Sequence, residues 1–156
     1  TISGELMVDL KIGIGSVVNT VQDIARSYKD AQVALEVGRV FESENAIVSY
    51  DNLGIGRIIY QLPTKLCQLF LSEVFKRGDI NDMDEEMITT IQKFFENNLN
   101  VSEASRQLYV HRNTLVYRLD KILKQTGLDI RNFDDAIIFK VAMMVNKYLN
   151  SSTINI

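Results

Sequence analysis

The sequence has 156 residues, of which 46% are hydrophobic and 24% are charged, with one cysteine, one histidine and a formal net charge of −3. This composition is typical of a globular protein and excludes a disordered chain. A lone cysteine cannot form an internal disulfide, and no apolar run reaches about 18 residues, so we expect a cytoplasmic protein with no membrane span and no metal site.

The first 50 residues predict a β-α-β element. Segments 11–15 and 46–50 have the pattern of short strands. Between them, apolar residues recur at steps of three and four and form one helical stripe: Val17, Val21, Ile24, Tyr28, Ala31 and Leu35. Ser27 and Asp30 have the spacing of a capping box, which leaves two helices in tandem as an alternative, and Gly38 is the expected stop. Such a unit belongs in a parallel sheet covered by helices.

After residue 50 the pattern is helical to the end. The apolar segment 53–62 stops before Pro63, a residue that suits the first position of the next helix. A last helix, about 134–149, is too apolar for a single stripe, so it either completes the core or forms a dimer surface. We divide the chain into an α/β part at 1–50, connecting helices at 51–78 and a helical domain at 79–150.

Residues 100–127 predict two helices separated by a turn of about three residues, the arrangement of a helix-turn-helix. The apolar spacing places these side chains inside: Val101, Ala104 and Leu108 on the first helix, and Leu115, Leu119 and Ile122 on the second. Gly127 is expected to end the second helix. We therefore predict a mainly α fold, in which a C-terminal helical bundle containing a helix-turn-helix follows a partial α/β element.

Charge changes sign along this part of the chain. Residues 79–103 carry seven acidic side chains and one lysine, whereas residues 106–124 carry five basic side chains and one aspartate, Asp120. A basic stripe in a chain that is acidic overall indicates a local anion-binding face, and the alternative is two solvated faces.

The second helix of the pair has the side chains needed to read DNA. Arg112 can bond to guanine, Asn113 to adenine, and Thr114 to a phosphate or a thymine methyl group. Free backbone N–H groups in the same turn favour phosphate. We predict that residues 112–125 enter the major groove and that the DNA-binding residues are these: His111, Arg112, Asn113, Thr114, Tyr117, Arg118 and Lys121.

Six of these residues have an alternative structural role. His111 can cap the helix, and Tyr117 can pack its ring against the first helix. Arg118 can form a half-buried ion pair with an acidic residue of an earlier helix, or it can be a surface charge like Arg112. Asn113 and Thr114 can act as caps.

The run from Val110 to Ile122, with Val110-His111-Arg112-Asn113-Thr114-Leu115 at its start and Tyr117-Arg118-Leu119 after it, resembles the C-terminal helix-turn-helix of the PucR/CdaR family of bacterial transcriptional regulators. It is more loosely similar to the Fis-type helix-turn-helix. Segments 12–15, 27–31 and 50–54 resemble the end of that family's GGDEF-like central domain. The family includes carbohydrate-diacid (sugar diacid) and purine-catabolism regulators, and the resemblance implies a ligand-responsive DNA-binding protein whose effector domain lies upstream.

We therefore expect a sequence-specific regulator that binds double-stranded DNA as a homodimer and responds to a small-molecule effector through an absent upstream domain. We expect no enzyme activity and no cofactor, because no nucleotide-binding glycine motif, carboxylate pair or histidine constellation is present. The alternative is a ligand-sensing or protein-interaction module whose helices transmit a signal without binding DNA.

Overall fold

The structure is a computed structural model that describes residues 10–42, 44–75 and 80–153. Its strands and α-helices, in chain order, are β1 (Ile12–Ile14), α1 (Ile24–Phe41), β2 (Ile47–Ser49), α2 (Gly54–Tyr60), α3 (Thr64–Val74), α4 (Glu85–Glu96), α5 (Val101–Gln107), α6 (Arg112–Thr126) and α7 (Phe133–Thr153). The predicted fold class, mainly helical with a small β element, is confirmed.

The chain forms two compact units. One contains the residues up to Pro63 together with those from Lys147, and the other is Thr64–Asn146. The domain boundary that the sequence predicts at residues 78 and 79 lies outside the described residues.

The first unit is built on a parallel pair of strands. Ile12 pairs with Ile47 and Gly13 with Val48, and α1 makes the crossover between the strands. The Cβ of an alanine at Gly13 would lie 2.3 Å from the carbonyl oxygen of Ala31. Helix α1 therefore lies directly on the strand, and glycine is what permits this approach.

Helix α1 differs from its prediction in two respects. It is one continuous helix and not two in tandem. Ser27 and Asp30 do not form a capping box, because both side chains bond to Ser16 in the loop after β1. Ser27 Oγ donates to the Ser16 carbonyl oxygen at 2.7 Å, and Asp30 accepts from the Ser16 hydroxyl. Gly38 does not stop the helix. It is buried against Val48, where an added Cβ would lie 2.6 Å from a methyl carbon, and the helix continues to Phe41.

The second unit has the larger core. Its biggest fully buried side chains come from four segments and are Ile91, Phe94, Leu115, Leu119, Ile122, Ile130 and Phe139. Helix α7 contributes Phe139, whose ring lies edge-on to Phe75 and Phe95 at centroid distances of 5.5 and 6.4 Å. Of the two roles predicted for the last helix, the structure shows the one in the core.

Candidate nucleic-acid interface

Helices α5 and α6 and the turn between them form the predicted pair. Asn100 caps α5, since its side-chain oxygen accepts from the N–H groups of Ser102 and Glu103 at 3.0 and 3.2 Å. In the turn, the N–H of Tyr109 donates to Arg106 and that of Val110 donates to Ser105, at 3.1 and 3.0 Å. Backbone bonds thus fix the path from one helix to the next.

The inner face of α6 is the face that the sequence predicts. Leu115, Leu119 and Ile122 are buried in the core, and Ala104 of α5 is fully buried beside them. Gly127 ends the helix with a φ of 83°, and its N–H donates to the Leu123 carbonyl at 2.7 Å. These contacts determine which side chains of α6 are left facing solvent.

The first turn of α6 is open to solvent. Arg112, Asn113 and Thr114 are all exposed. His111 is the N-cap, because its Nδ1 accepts from the N–H of Asn113 at 3.2 Å. The histidine therefore has the capping role that the sequence allows, and it orders the turn that carries the three polar side chains.

Two tyrosines border this turn. Tyr117, one turn further along α6, is 69% exposed. Tyr109, in the turn between the helices, is 96% exposed and has a φ of 54°. Tyr109 was not among the residues predicted to bind DNA. Its position two residues before His111 and three before Arg112 is the signal that could have identified it.

Arg118 and Lys121 point elsewhere, towards the start of α4. The Arg118 guanidinium lies 2.5 Å from Glu86 Oε1 and donates to the hydroxyl of buried Thr90 at 3.3 Å. The Arg118 side chain is 17% exposed. This is the ion pair with an earlier helix that the sequence left open as the alternative to a DNA contact. Lys121 Nζ lies 3.3 Å from Asp84 Oδ2.

The acidic start of α4 is stabilised in its ionised form. The backbone N–H of Met87, which donates to Asp84 at 2.7 Å, lowers the pKa of the Asp84 carboxyl, and Lys121 contributes to the same shift. Asp84 is therefore both the N-cap of α4 and the partner of a lysine on α6.

A second cluster joins the middle of α6 to the loop that precedes α7. Arg131 bonds to Asp120 of α6 at 2.8 Å and to Asp129 at 2.7 Å. Hydrogen bonding from this guanidinium lowers the pKa of Asp129. Asp120, the acidic residue within the basic stripe, is thus neutralised by a neighbour in space.

The basic stripe is consequently less positive than the sequence suggests. Three of its five cations are ion-paired: Arg106 with Glu103, Arg118 with Glu86 and Lys121 with Asp84. Arg112 and Lys124 form no ion pair with any residue in the described part of the chain. The free positive charge therefore includes the first turn of α6, beside Asn113 and Thr114.

Within residues 10–42, 44–75 and 80–153, no group of three histidine, cysteine or carboxylate side chains is placed to hold a metal ion. In the same described segments, no helix is both long enough and apolar enough to cross a membrane.

Comparison with known protein families gives two matches. Residues 87–145 match the PucR C-terminal helix-turn-helix domain, and residues 1–37 match a GGDEF-like domain. The first match covers α5, α6 and the turn that joins them, and the family indicated by the motif around Arg112 is confirmed.

Three curated relatives are regulators of transcription or catabolism. The Carbohydrate diacid regulator of Escherichia coli is 29% identical over 88% of this chain and 36% of its own length. The Purine catabolism regulatory protein of Bacillus subtilis is 22% identical over 96% of this chain and 28% of its own. The DNA-binding transcriptional activator AdeR of Bacillus subtilis is 31% identical over 80% of this chain and 30% of its own. The chain thus spans about a third of the length of these relatives.

Proposed function

We propose, from the premise that residues 87–145 are a PucR C-terminal helix-turn-helix domain, that this chain is the DNA-reading part of a transcriptional regulator. The observation that carries the proposal is the first turn of α6, which presents a guanidinium, a carboxamide and a hydroxyl to solvent on a helix anchored by three buried side chains. The proposed mechanism is binding, without a chemical step. The proposed location is the cytoplasm, because the family matched is one of bacterial regulators, whose DNA lies there.

The first turn of α6 reads base edges in the major groove. Arg112 and Asn113 are the residues suited to bidentate bonds with guanine and adenine, and Thr114 is suited to a phosphate or a thymine methyl group. His111 keeps the turn in shape and lies close enough to the start of α6 to meet a phosphate. Tyr117 and Tyr109 place exposed phenol groups on either side of this turn, where each can donate to the DNA backbone.

We further propose that the chain acts as a homodimer. One helix-turn-helix reads few base pairs, and two copies related by a two-fold axis read two half-sites about 34–36 Å apart. The expected operator is therefore an inverted repeat. Electrophoretic mobility-shift titrations on duplexes with one and with two half-sites measure how many copies of the chain bind each duplex.

Sensing of an effector would fall to sequence outside these 156 residues, because the regulators that match are about three times as long. Residues 1–50 would then be the end of a GGDEF-like domain, residues 51–78 a connection and residues 79–150 the DNA-binding domain. The partial match at residues 1–37 and the exposed isoleucines of the two-stranded sheet support this division.

The test begins with duplexes selected by the protein from a random pool. Binding is then measured by fluorescence anisotropy on the selected duplex and on a scrambled duplex, over a range of salt concentrations. Affinity should fall by about 0.9 log units per log unit of salt for each phosphate neutralised. If no sequence is enriched and no salt-dependent binding appears, the proposal is wrong. The result would then favour the alternative, a ligand-sensing or protein-interaction module that does not bind DNA.

Arg112→Ala is the variant that tests base reading. It should cost about 1–3 kcal/mol on the selected duplex and much less on the scrambled one. Arg39→Ala is the matched control, because it removes an exposed arginine from α1 in the other unit. An equal loss on both duplexes would assign Arg112 to a phosphate.

A further inference from the structure

We infer that Arg118 and Lys121 are positioning residues, which hold the recognition helix on the acidic first turn of α4 and do not contact DNA. The inference rests on the proposed function and reassigns two of the seven residues that the sequence predicts as DNA-binding. It also gives Glu86 and Asp84, which no sequence motif selects, a part in DNA recognition.

The geometry of Arg118 is that of an anchored side chain. Its two terminal nitrogens have different partners on α4, Glu86 at 2.5 Å and the hydroxyl of Thr90 at 3.3 Å. Thr90 is fully buried, and Arg118 is largely covered. A phosphate could recruit this guanidinium only by taking it from a carboxylate and a buried hydroxyl, both of which would lose their partner.

Lys121, about one turn further along α6, also forms an ion pair with the start of α4. Its partner, Asp84, is itself fixed by the N–H of Met87 at the start of α4. Two cations three residues apart on α6 thus engage the first turn of one helix, so the contact restrains both the rotation and the axial position of α6.

The contact between Asp120 and Arg131 restrains α6 from another element, the loop before α7. Residues 118, 120 and 121 therefore connect the middle of α6 to two different parts of the same unit. Among the described residues, the first turn, with Arg112 and Asn113, has no ion pair to another element, and it projects from a helix whose orientation these contacts restrain. Precise orientation matters because a bidentate base contact requires both hydrogen bonds at once.

Glu86 provides a test in which the two interpretations predict opposite signs. If Arg118 and its neighbours bind phosphate, Glu86 is an unfavourable charge beside DNA, and Glu86→Gln should tighten binding to every duplex. If Glu86 positions α6 through Arg118, the same variant should weaken binding to the selected duplex. Glu86 is exposed, so the variant is expected to fold.

The measurement is anisotropy of Glu86→Gln and Arg118→Gln on the selected and scrambled duplexes across salt. We expect each variant to lose roughly threefold or more in affinity for the selected duplex, and the double variant to lose no more than the worse single variant. The slope of log affinity against log salt should stay unchanged for Arg118→Gln. Glu85→Gln is the matched control, since it removes a neighbouring charge of the same turn and leaves the Arg118 contact in place.

Two results would overturn the inference. One is tighter binding of Glu86→Gln to both duplexes, and the other is a fall of about 0.9 in the salt slope of Arg118→Gln, the signature of a lost phosphate contact. If Arg118→Gln does not fold, the effect of Glu86→Gln on affinity for the two duplexes still distinguishes the two interpretations. Absence of DNA binding by the unaltered chain is a different outcome, because it refutes the proposed function itself.

Discussion

Helices α1 and α6 both carry an apolar stripe, and the two stripes have different surroundings. On α6 the stripe of Leu115, Leu119 and Ile122 lies in the core of the second unit. On α1 and the segment before it the predicted stripe is largely exposed, as at Val17, Val21, Ile24 and Tyr28. The side of α1 that is buried carries Ala34, Val37, Gly38 and Val40 instead. An apolar spacing therefore identifies a helix, but the elements around the helix decide which face is covered.

The strands of the first unit show the same contrast. Val48 faces α1 and is buried, whereas Ile12, Ile14 and Ile47 are exposed on the sheet. The second unit instead joins the side chains of several helices into one large cluster. The two units should therefore respond very differently to the same substitution, and this difference can be measured.

The largest expected effect is loss of the second unit in Leu119→Asp. A carboxyl group would replace a fully buried leucine, and the lost apolar burial and the buried polar group together cost an amount comparable with the about 5–15 kcal/mol that stabilises a domain. Circular dichroism during thermal melting should show either no unfolding transition or one with a much lower midpoint temperature. Ile24→Asp, the same type of change on the exposed stripe of α1, should shift stability by only about 0.5 kcal/mol. Equal effects would contradict the contrast between the helices.

A smaller effect is expected in the first unit from Gly13→Ala. The added methyl group would meet the Ala31 carbonyl oxygen at 2.3 Å, and relief requires α1 to move away from β1. Overpacking of this kind costs about 1–3 kcal/mol. Chemical denaturation should measure the loss in free energy of unfolding, and hydrogen exchange of backbone amides should show that the loss lies in the first unit. Gly54→Ala is the comparison, because Gly54 has open space around it but a φ of 53°, so its cost is backbone strain alone, about 1 kcal/mol.

Tyr109→Gly should separate folding from binding in the second unit. The tyrosine has a φ of 54°, which glycine adopts without strain, so the variant should gain up to about 1 kcal/mol in stability. Its affinity for the selected duplex should fall, because the exposed phenol is lost. Melting and anisotropy on one sample test both parts, and Tyr109→Phe reports on the hydroxyl. A glycine variant that binds DNA as tightly as the unaltered chain would remove Tyr109 from the interface.

The smallest expected effect is a pH dependence at the start of α4. The pKa of Asp84 is lower in the folded chain than in the unfolded chain, so its carboxylate stabilises the fold fully at pH values above the ordinary pKa of an aspartate. That contribution is lost as the pH falls through the lowered pKa of the folded chain. Asp84→Asn should therefore melt at a lower temperature than the unaltered chain at pH 7, and the difference should shrink as the pH falls below the ordinary range of aspartate pKa values. Glu85→Gln serves as the control, and a difference that persists at low pH would mean that the charge is not responsible.

The sequence was sufficient for the local features of the site. The cap at Gly127 and the break after α5 depend on interactions within about four residues along the chain and were predicted, and the cap at His111 was the alternative to its predicted DNA contact. The apolar spacing also predicted the inner face of α6, although distant segments are what bury it. The first turn was predicted as exposed for the same reason. Contact of its side chains with DNA stays a prediction.

The sequence was insufficient wherever a contact joined distant segments. Gly38 resembled a helix stop, because its packing against Val48 cannot be inferred from neighbouring residues. The α1 stripe resembled a buried face, because periodicity does not show which elements cover it.

The sequence by itself determined the order of the main helices, the helix-turn-helix and the family to which it is related, since apolar spacing, capping residues and a distinctive motif are all local. Only the tertiary structure decided how the charges are used. Arg118 and Glu86 are 32 residues apart in the sequence, and Lys121 and Asp84 are 37 apart. Electrostatic energy depends on distance in space, so a stripe of five cations in the sequence becomes, once folded, three ion-paired groups and two that form no ion pair within residues 10–42, 44–75 and 80–153.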